Sequence, residues 1–291
     1  MERKDFIKKG LMGTGMFITS ATIGDLMKNE IDEITPLEPI GYNHLPNTNS
    51  LIMENTILHK ANTRGHANHG WLDSHHTFSF ANYHNPDRMH FGVLRVLNDD
   101  RVDAGMGFGK HPHDNMEIIS IPLEGDLEHH DSMGNTAVIS KGDIQVMSAG
   151  TGIFHSEYNK NKDKLTKFLQ IWVYPNKKNV TPRYDQITLN EADRHNNLQQ
   201  IISPSPDDAG VWIHQDAWFH LGKFDKDFVT SYDLKKSGNG IYAFVLKGDF
   251  KIGNIDVNER DGLGIWDTQN IQIQALSEDA EILLMEVPMA L

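Results

Sequence analysis

From about residue 57 onward, the apolar positions of the chain fall in short runs, at 91–97, 116–123, 137–139, 144–147 and 168–174. These runs are rich in Val, Ile, Leu and aromatic residues, and Gly, Asp, Asn and Ser separate them, which is the texture of strands joined by tight turns. The same texture returns at 241–246, 250–252, 264–266, 271–275 and 280–287. No stretch of this region keeps an apolar face at helical period for more than about three turns. Many short strands with little helix predict an all-β sandwich or barrel.

The pattern also repeats. Pro122-Leu-Glu-Gly-Asp-Leu127 is echoed by Val245-Leu-Lys-Gly-Asp-Phe250, and each is followed by a further glycine, Gly142 and Gly262, which mark an expected second turn. A strand–Gly-Asp–strand unit is a common hairpin signal, but its recurrence with a similar sequel predicts two related barrels. The joint is expected near 185–210, where Pro204, Pro206, Asp207 and Asp208 cluster. The resulting division is an N-terminal barrel at 57–185 and a C-terminal barrel at 186–291.

The first 56 residues lack this texture. Arg3, Lys4, Lys8 and Lys9 precede a small-residue, mildly apolar stretch at 11–24 that is shorter than a membrane span, which needs roughly 17–25 apolar residues. Residues 1–26 therefore read as an export signal, with Arg3-Lys-Asp-Phe-Ile-Lys8 resembling the twin-arginine type, so the periplasm is the expected location. A lysine stands where the second arginine would be, and no A-x-A cleavage site follows. A cytoplasmic location with a frayed N-terminal tail is the alternative. Residues 27–56, with Pro36, Pro39 and Pro46, read as a polar linker.

Composition narrows the chemistry. With 27 basic and 40 acidic residues the formal charge is −13, a field that disfavours nucleic acid, and no segment predicts stable membrane insertion. Cysteine is absent, which excludes disulfides and thiolate sites, while histidine is abundant at 16. A metal here would take imidazole and carboxylate ligands.

Two spacings point to such a metal. Gly109-Lys-His111-Pro-His113 places two imidazoles at i and i+2, on the same face of a strand. His155-Ser-Glu157 repeats that geometry with an imidazole and a carboxylate, 44 residues after His111. Convergence of both pairs inside one barrel would give a three-histidine, one-glutamate site for a divalent transition metal, with room for substrate or water. Glu117 shares strand parity with the histidines and is a further candidate. His66, His69, His75, His76, His129 and His130 lack the paired spacing and are expected to hold surface or supporting positions.

These motifs resemble those of a known family. Gly105-x5-His111-x-His113-x3-Glu117 is similar to the first cupin motif, with its closing glycine, Gly125, one residue late. The run from Gly142 through Ser148-Ala-Gly-Thr-Gly-Ile-Phe-His155-Ser-Glu157 is similar to the second, with serine in place of proline and a longer gap to the histidine. Those departures, with Leu123-Glu-Gly125 and Asp131-Ser-Met-Gly134, resemble the pirin family. Thr63-Arg-Gly-His-Ala-Asn-His-Gly-Trp-Leu-Asp73 and Phe78-Ser-Phe-Ala-Asn-Tyr83 resemble its bacterial, quercetinase-like branch, from about residue 57 to the C-terminus.

The resemblance implies a bicupin, two double-stranded β-helix (jelly-roll) barrels in tandem, with one metal in the N-terminal barrel held by His111, His113, His155 and Glu157. The second barrel lacks a His-x-His pair and is expected to be structural or a wall of the cleft. The implied activity is quercetin 2,3-dioxygenase-like, with O2 opening the central ring of a flavonol or a similar enolic or aromatic compound and Glu157 as general base. Fe(II) is the expected metal, with Zn, Ni, Mn, Cu and Co as alternatives. The competing expectation is a non-catalytic metal-containing regulatory or stress protein acting through protein partners. No sequence signal defines an oligomeric state.

Overall fold

A computed structural model describes residues 55–291. The segments expected to be an export signal and a linker lie outside the described residues, apart from the last two linker positions. Four antiparallel-rich sheets, of seven, four, seven and four strands, make up the structure. Among the described residues, helix is confined to the 3-10 turns Ala61–Thr63, Pro86–Arg88 and Glu191–Arg194, and no helix is long and apolar enough to cross a membrane.

Each barrel consists of one seven-stranded and one four-stranded sheet. In the first, Arg183–Thr188, Asp143–Ser148, Glu117–Glu124, Thr166–Val173, Leu94–Val102, Leu72–His76 and Gly65–Asn68 form the large sheet in that spatial order. Its small sheet runs Gly107–His113, Ile153–Asn159, Asp126–Asp131, Thr136–Ser140. The second barrel repeats the plan around the central strands Asn239–Lys247 and Ala280–Pro288. The all-β, bicupin expectation therefore holds.

Alternation along the strands explains how the barrels join. In Asn239–Lys247, Ile241, Ala243 and Val245 enter the interior of the second barrel, while Tyr242, Phe244 and Leu246 enter a core shared with the first. In Ala280–Pro288, Ile282 and Leu284 face inward and Leu283, Met285 and Val287 face the shared core. The first barrel answers with Ile119, Ile121, Leu169, Ile171 and Val173. A strand covered on both faces reads as a continuous apolar run, whatever its period. The two large sheets are thus packed back to back, and the largest apolar core of the protein lies between the barrels.

The interiors differ. Phe224, Ile241, Val245, Phe250, Ile252, Val257, Leu263, Ile273, Ile282 and Leu284 fill the second barrel. In the first barrel, inward positions on the corresponding strands carry Ser120, Gln170, His155 and Glu157, all buried.

Three details depart from the sequence reading. The stretch 185–210 is more than a joint: it holds Asn197–Ser203, a strand of the second barrel's large sheet, and Arg183–Thr188 crosses 185/186 to pair with Asp143–Ser148. At the other end, Asn55–His59 pairs with Gly262–Trp266, so the first described strand belongs to the second barrel's sheet and precedes the first barrel. The echoed turns are alike only in part. Gly125 and Gly248 both adopt positive φ, 74° and 72°, where a side chain would be strained. Gly142 does so too at 98°, but its counterpart turn uses Arg260 at 64°, and Gly262 instead opens a strand against the Tyr242 ring, with no room for a Cβ.

The shared core predicts joint unfolding. Phe244 is fully buried within it, and Phe244→Ala is expected to cost about 3–5 kcal/mol. Denaturant unfolding followed by tryptophan fluorescence and by circular dichroism should remain one coincident transition, shifted to lower midpoint. Two resolved transitions would show the barrels to be independent units.

Candidate metal centre

The small sheet of the first barrel builds the site. Ile153–Asn159 is its second strand, flanked by Gly107–His113 and Asp126–Asp131, and Ile153, His155, Glu157 and Asn159 alternate into the interior. Register sets His155 directly opposite His111 on one side and opposite Asp131 on the other, and Glu157 opposite His129. A bulge shifts the pairing between His155 and Glu157, so that Glu157 faces Phe108. Such a bulge re-aims neighbouring side chains. The two backbones approach so closely here that a Cβ at Gly107 would lie 2.3 Å from the Glu157 carbonyl oxygen.

Three histidines converge. The ring centroids of His111, His113 and His155 are 4.4–4.9 Å apart, and one nitrogen of each lies within 4.8 Å of the others. His111 Nδ1 donates to the Gly109 carbonyl at 2.8 Å, which leaves Nε2 with its lone pair. His155 is 2% exposed, and neither of its ring nitrogens has a hydrogen-bond partner. Burial and the neighbouring imidazoles push His113 down to about 4, and burial with His111 and His129 pushes His155 down to about 3. Both are neutral at pH 7, the protonation state that a metal requires. A buried imidazole with no partner is costly unless something accepts its lone pair. This donor set fits a divalent transition metal.

Glu157 is positioned differently. Its carboxylate accepts from Ser120 Oγ at 3.0 Å and from Gln170 Nε2 at 2.8 Å, both inside the barrel. With His155 and His129 it forms a second group whose ligand atoms lie within 4.8 Å of one another, so His155 is common to both groups. His129 is the residue that spacing missed. It is fully buried, and Nε2 donates to Asp131 Oδ2 at 3.1 Å, leaving Nδ1 unpartnered. The available signal was parity, since Leu127 and His129 alternate into the barrel from the same strand.

Glu117 is not part of the centre. It has the parity of Ile119 and Ile121, which face the shared core, whereas Ile118 and Ser120 face the barrel interior. Its carboxyl accepts from Ser148 Oγ at 2.7 Å, and burial raises it to about 7. His76 is buried, and His130 is exposed and pairs with Thr136 and Glu128.

A cavity of about 450 Å³ opens beside His111, His113 and Glu157, within the roughly 300–1,000 Å³ range of small-molecule pockets. Phe80, Tyr83, Phe108 and Trp172 give it aromatic walls, and Ser74, His76, Asn98, Asp100 and Gln170 give it polar ones. All of its lining residues lie between His66 and Trp172, so the second barrel does not wall it.

A double-stranded β-helix barrel that turns histidines and a glutamate onto such a cavity defines a metal-binding protein of the cupin class. The model of the family described as Pirin matches residues 58–173, and that of the quercetinase C-terminal cupin domain matches 200–287. A quercetin 2,3-dioxygenase of Escherichia coli K12 is 46% identical over 231 residues, 79% of this chain and 98% of that protein. A pirin-like protein of Caulobacter vibrioides is 39% identical over 223 residues, 76% of this chain and 95% of its own. Among solved structures, the bacterial pirin YhhW of Escherichia coli in complex with nickel(II) matches with a TM-score of 0.76 at 44% identity, over 80% of this chain and 99% of that one. The chain belongs to the pirin family.

Two predictions follow from the centre. His113→Ala is expected to lower the metal content retained on desalting, because it removes one of the three convergent imidazole donors. Elemental analysis showing an unchanged content would overturn the ligand role of His113.

The second concerns acid. Burial holds His59, His76, His113 and His220 at about 4 and His155 at about 3. Unfolding returns all five to the ordinary value of 6.5, so the unfolded chain binds more protons between pH 6.5 and 4 and stability falls as pH falls. Asp100 and Glu117, raised to about 7 by burial, act in the opposite sense over the same window. Five groups outweigh two, and the melting temperature of the metal-free protein should decline from pH 6.5 to 4. A flat or rising profile would contradict this balance.

Proposed function

We propose that the protein is a metal-dependent dioxygenase that uses O2 to open a ring of a flavonol or a related enolic or aromatic compound, with Fe(II) as its working metal. The observation that carries this reading is the meeting of three imidazoles with a buried carboxylate beside an aromatic-walled cavity. The quercetin 2,3-dioxygenase name of the Escherichia coli relative supports the substrate class.

His111, His113 and His155 would hold the metal, with Glu157 as fourth ligand or as a neighbour that approaches it. A divalent cation there supplies an electropositive open position that favours the enolate form of a chelating substrate. The protein's own groups do the rest. Phe80, Tyr83, Phe108 and Trp172 offer flat apolar faces to a planar ring and exclude water from it. Glu157 accepts the enol proton, while Ser120 and Gln170 hold its two oxygens in a fixed plane.

Glu157→Gln tests this directly. It keeps size and one oxygen but removes charge and basicity, so metal content should fall modestly and ring opening by roughly 10²–10⁴-fold. The readouts are O2 uptake and loss of flavonol absorbance, each normalised to bound metal. Equal rates per metal would refute the base role. Absence of flavonol-dependent O2 uptake by the wild type under Fe, Ni, Mn and Cu loading would refute the dioxygenase reading.

A further inference from the structure

A second histidine-rich cluster lies apart from the barrel interior. The hairpin of Gly65–Asn68 and Leu72–His76 forms the edge of the first barrel's large sheet, with His66 paired to His75 and Asn68 to Asp73. Cross-strand partners share a face. Leu72, Ser74 and His76 turn inward and are buried, and Ser74 and His76 line the cavity. His66, Asp73 and His75 stand on the opposite face, with side chains 51%, 34% and 39% exposed, and His66 also reaches the cavity's lining.

We infer that His66, Asp73 and His75 form a second site for a divalent transition metal, of the Zn2+, Ni2+ or Cu2+ class, at the edge of the cavity wall. One ligand atom from each lies within 4.8 Å of the other two. His66 Nε2 is 2.6 Å from Asp73 Oδ1, and His75 Nδ1 is 4.0 Å from the same oxygen. The two imidazoles stack at 4.5 Å with 21° between their planes. A simple His–Asp ion pair accounts for one imidazole only. The second ring brings a further nitrogen towards the same carboxylate oxygen, at a distance too long for a hydrogen bond. Imidazole and carboxylate donors together suit borderline cations.

The register fixes these atoms before any metal arrives, because His66 and His75 are held opposite each other by the hairpin backbone. His75 is in turn opposite Asp99, whose carboxylate is occupied by Arg64 at 3.2 Å and Arg260 at 3.7 Å. Asp99 is thereby engaged elsewhere, leaving three protein ligands and positions open to water. Exposure makes this site weaker than the interior one, since solvent competes for every ligand. A cation bound here would clamp the strand that carries Ser74 and His76, stiffening one wall of the cavity.

The test uses tag-free protein whose interior site is first saturated with Zn2+ and then desalted. Calorimetric titration with further Zn2+ should show one additional equivalent at micromolar affinity in the wild type. His75→Ala and the milder His66→Gln should each weaken that equivalent by roughly tenfold or more, while elemental analysis shows the first metal retained and circular dichroism shows the fold unchanged. No additional equivalent in the wild type would overturn the inference. So would an additional equivalent bound equally well by both variants. The readout is metal binding alone, so it stands or falls independently of flavonol turnover.

Discussion

The described residues are arranged around two sheets that bury each other's backs. A β-strand has only two faces, and a seven-stranded sheet whose outer face met water could spend that face on polar residues. Here both faces of the central strands are covered, so Ile241 and Tyr242, neighbours in sequence, belong to different cores. The shared core between the barrels holds Phe91, Phe219, Tyr242 and Phe244 among its aromatic members. Because this core supplies so much of the burial, the first barrel need not fill its own interior with hydrocarbon. It can keep Ser120, Gln170, Glu157 and His155 there instead. The second barrel, filled by Phe250, Leu263 and Ile282, is the rigid body against which the hollow one is braced.

Within the hollow barrel, the polar groups divide into two kinds. Glu157 is fully provided with donors, and Glu117, on the other side of the sheet, accepts from Ser148. His155 and the Nδ1 atom of His129 have no partner. Satisfied groups hold a shape, whereas unsatisfied ones hold an affinity. The desolvation that makes His113 and His155 poor bases also leaves them unprotonated and therefore able to donate lone pairs at neutral pH.

Much of this was readable from residue order. Runs such as 241–246 and 280–287 announce strands because both of their faces are apolar, and the pairs His111/His113 and His155/Glu157 announce an inward face by period two alone. Among the strands that escaped notice were some with polar outward or inward positions, such as Gly65–Asn68 and Arg183–Thr188, where composition does not favour a strand and pairing decides. His129 escaped for the same reason. Its place depends on standing opposite Glu157, a register that no local pattern encodes. Glu117 shows the converse. Its parity relative to His111 and His113 has no meaning across separate strands, and the shared core, visible only in three dimensions, determines which way it faces.

The strand Asn55–His59 carries a topological consequence. It pairs with Gly262–Trp266, His59 shares a 2.8 Å hydrogen bond with the Tyr242 hydroxyl, and the next residue, Lys60, reaches Asp261 at 2.7 Å. The chain therefore enters the far barrel, crosses to the near one, and returns. Cutting between the barrels would not yield two self-contained halves, because the N-terminal piece would carry off a strand belonging to its neighbour. Two such pieces made separately would each be incomplete in a complementary way, the gap in one matching the surplus of the other. This is the geometry of a split protein that reassembles, and also of one whose copies can trade arms.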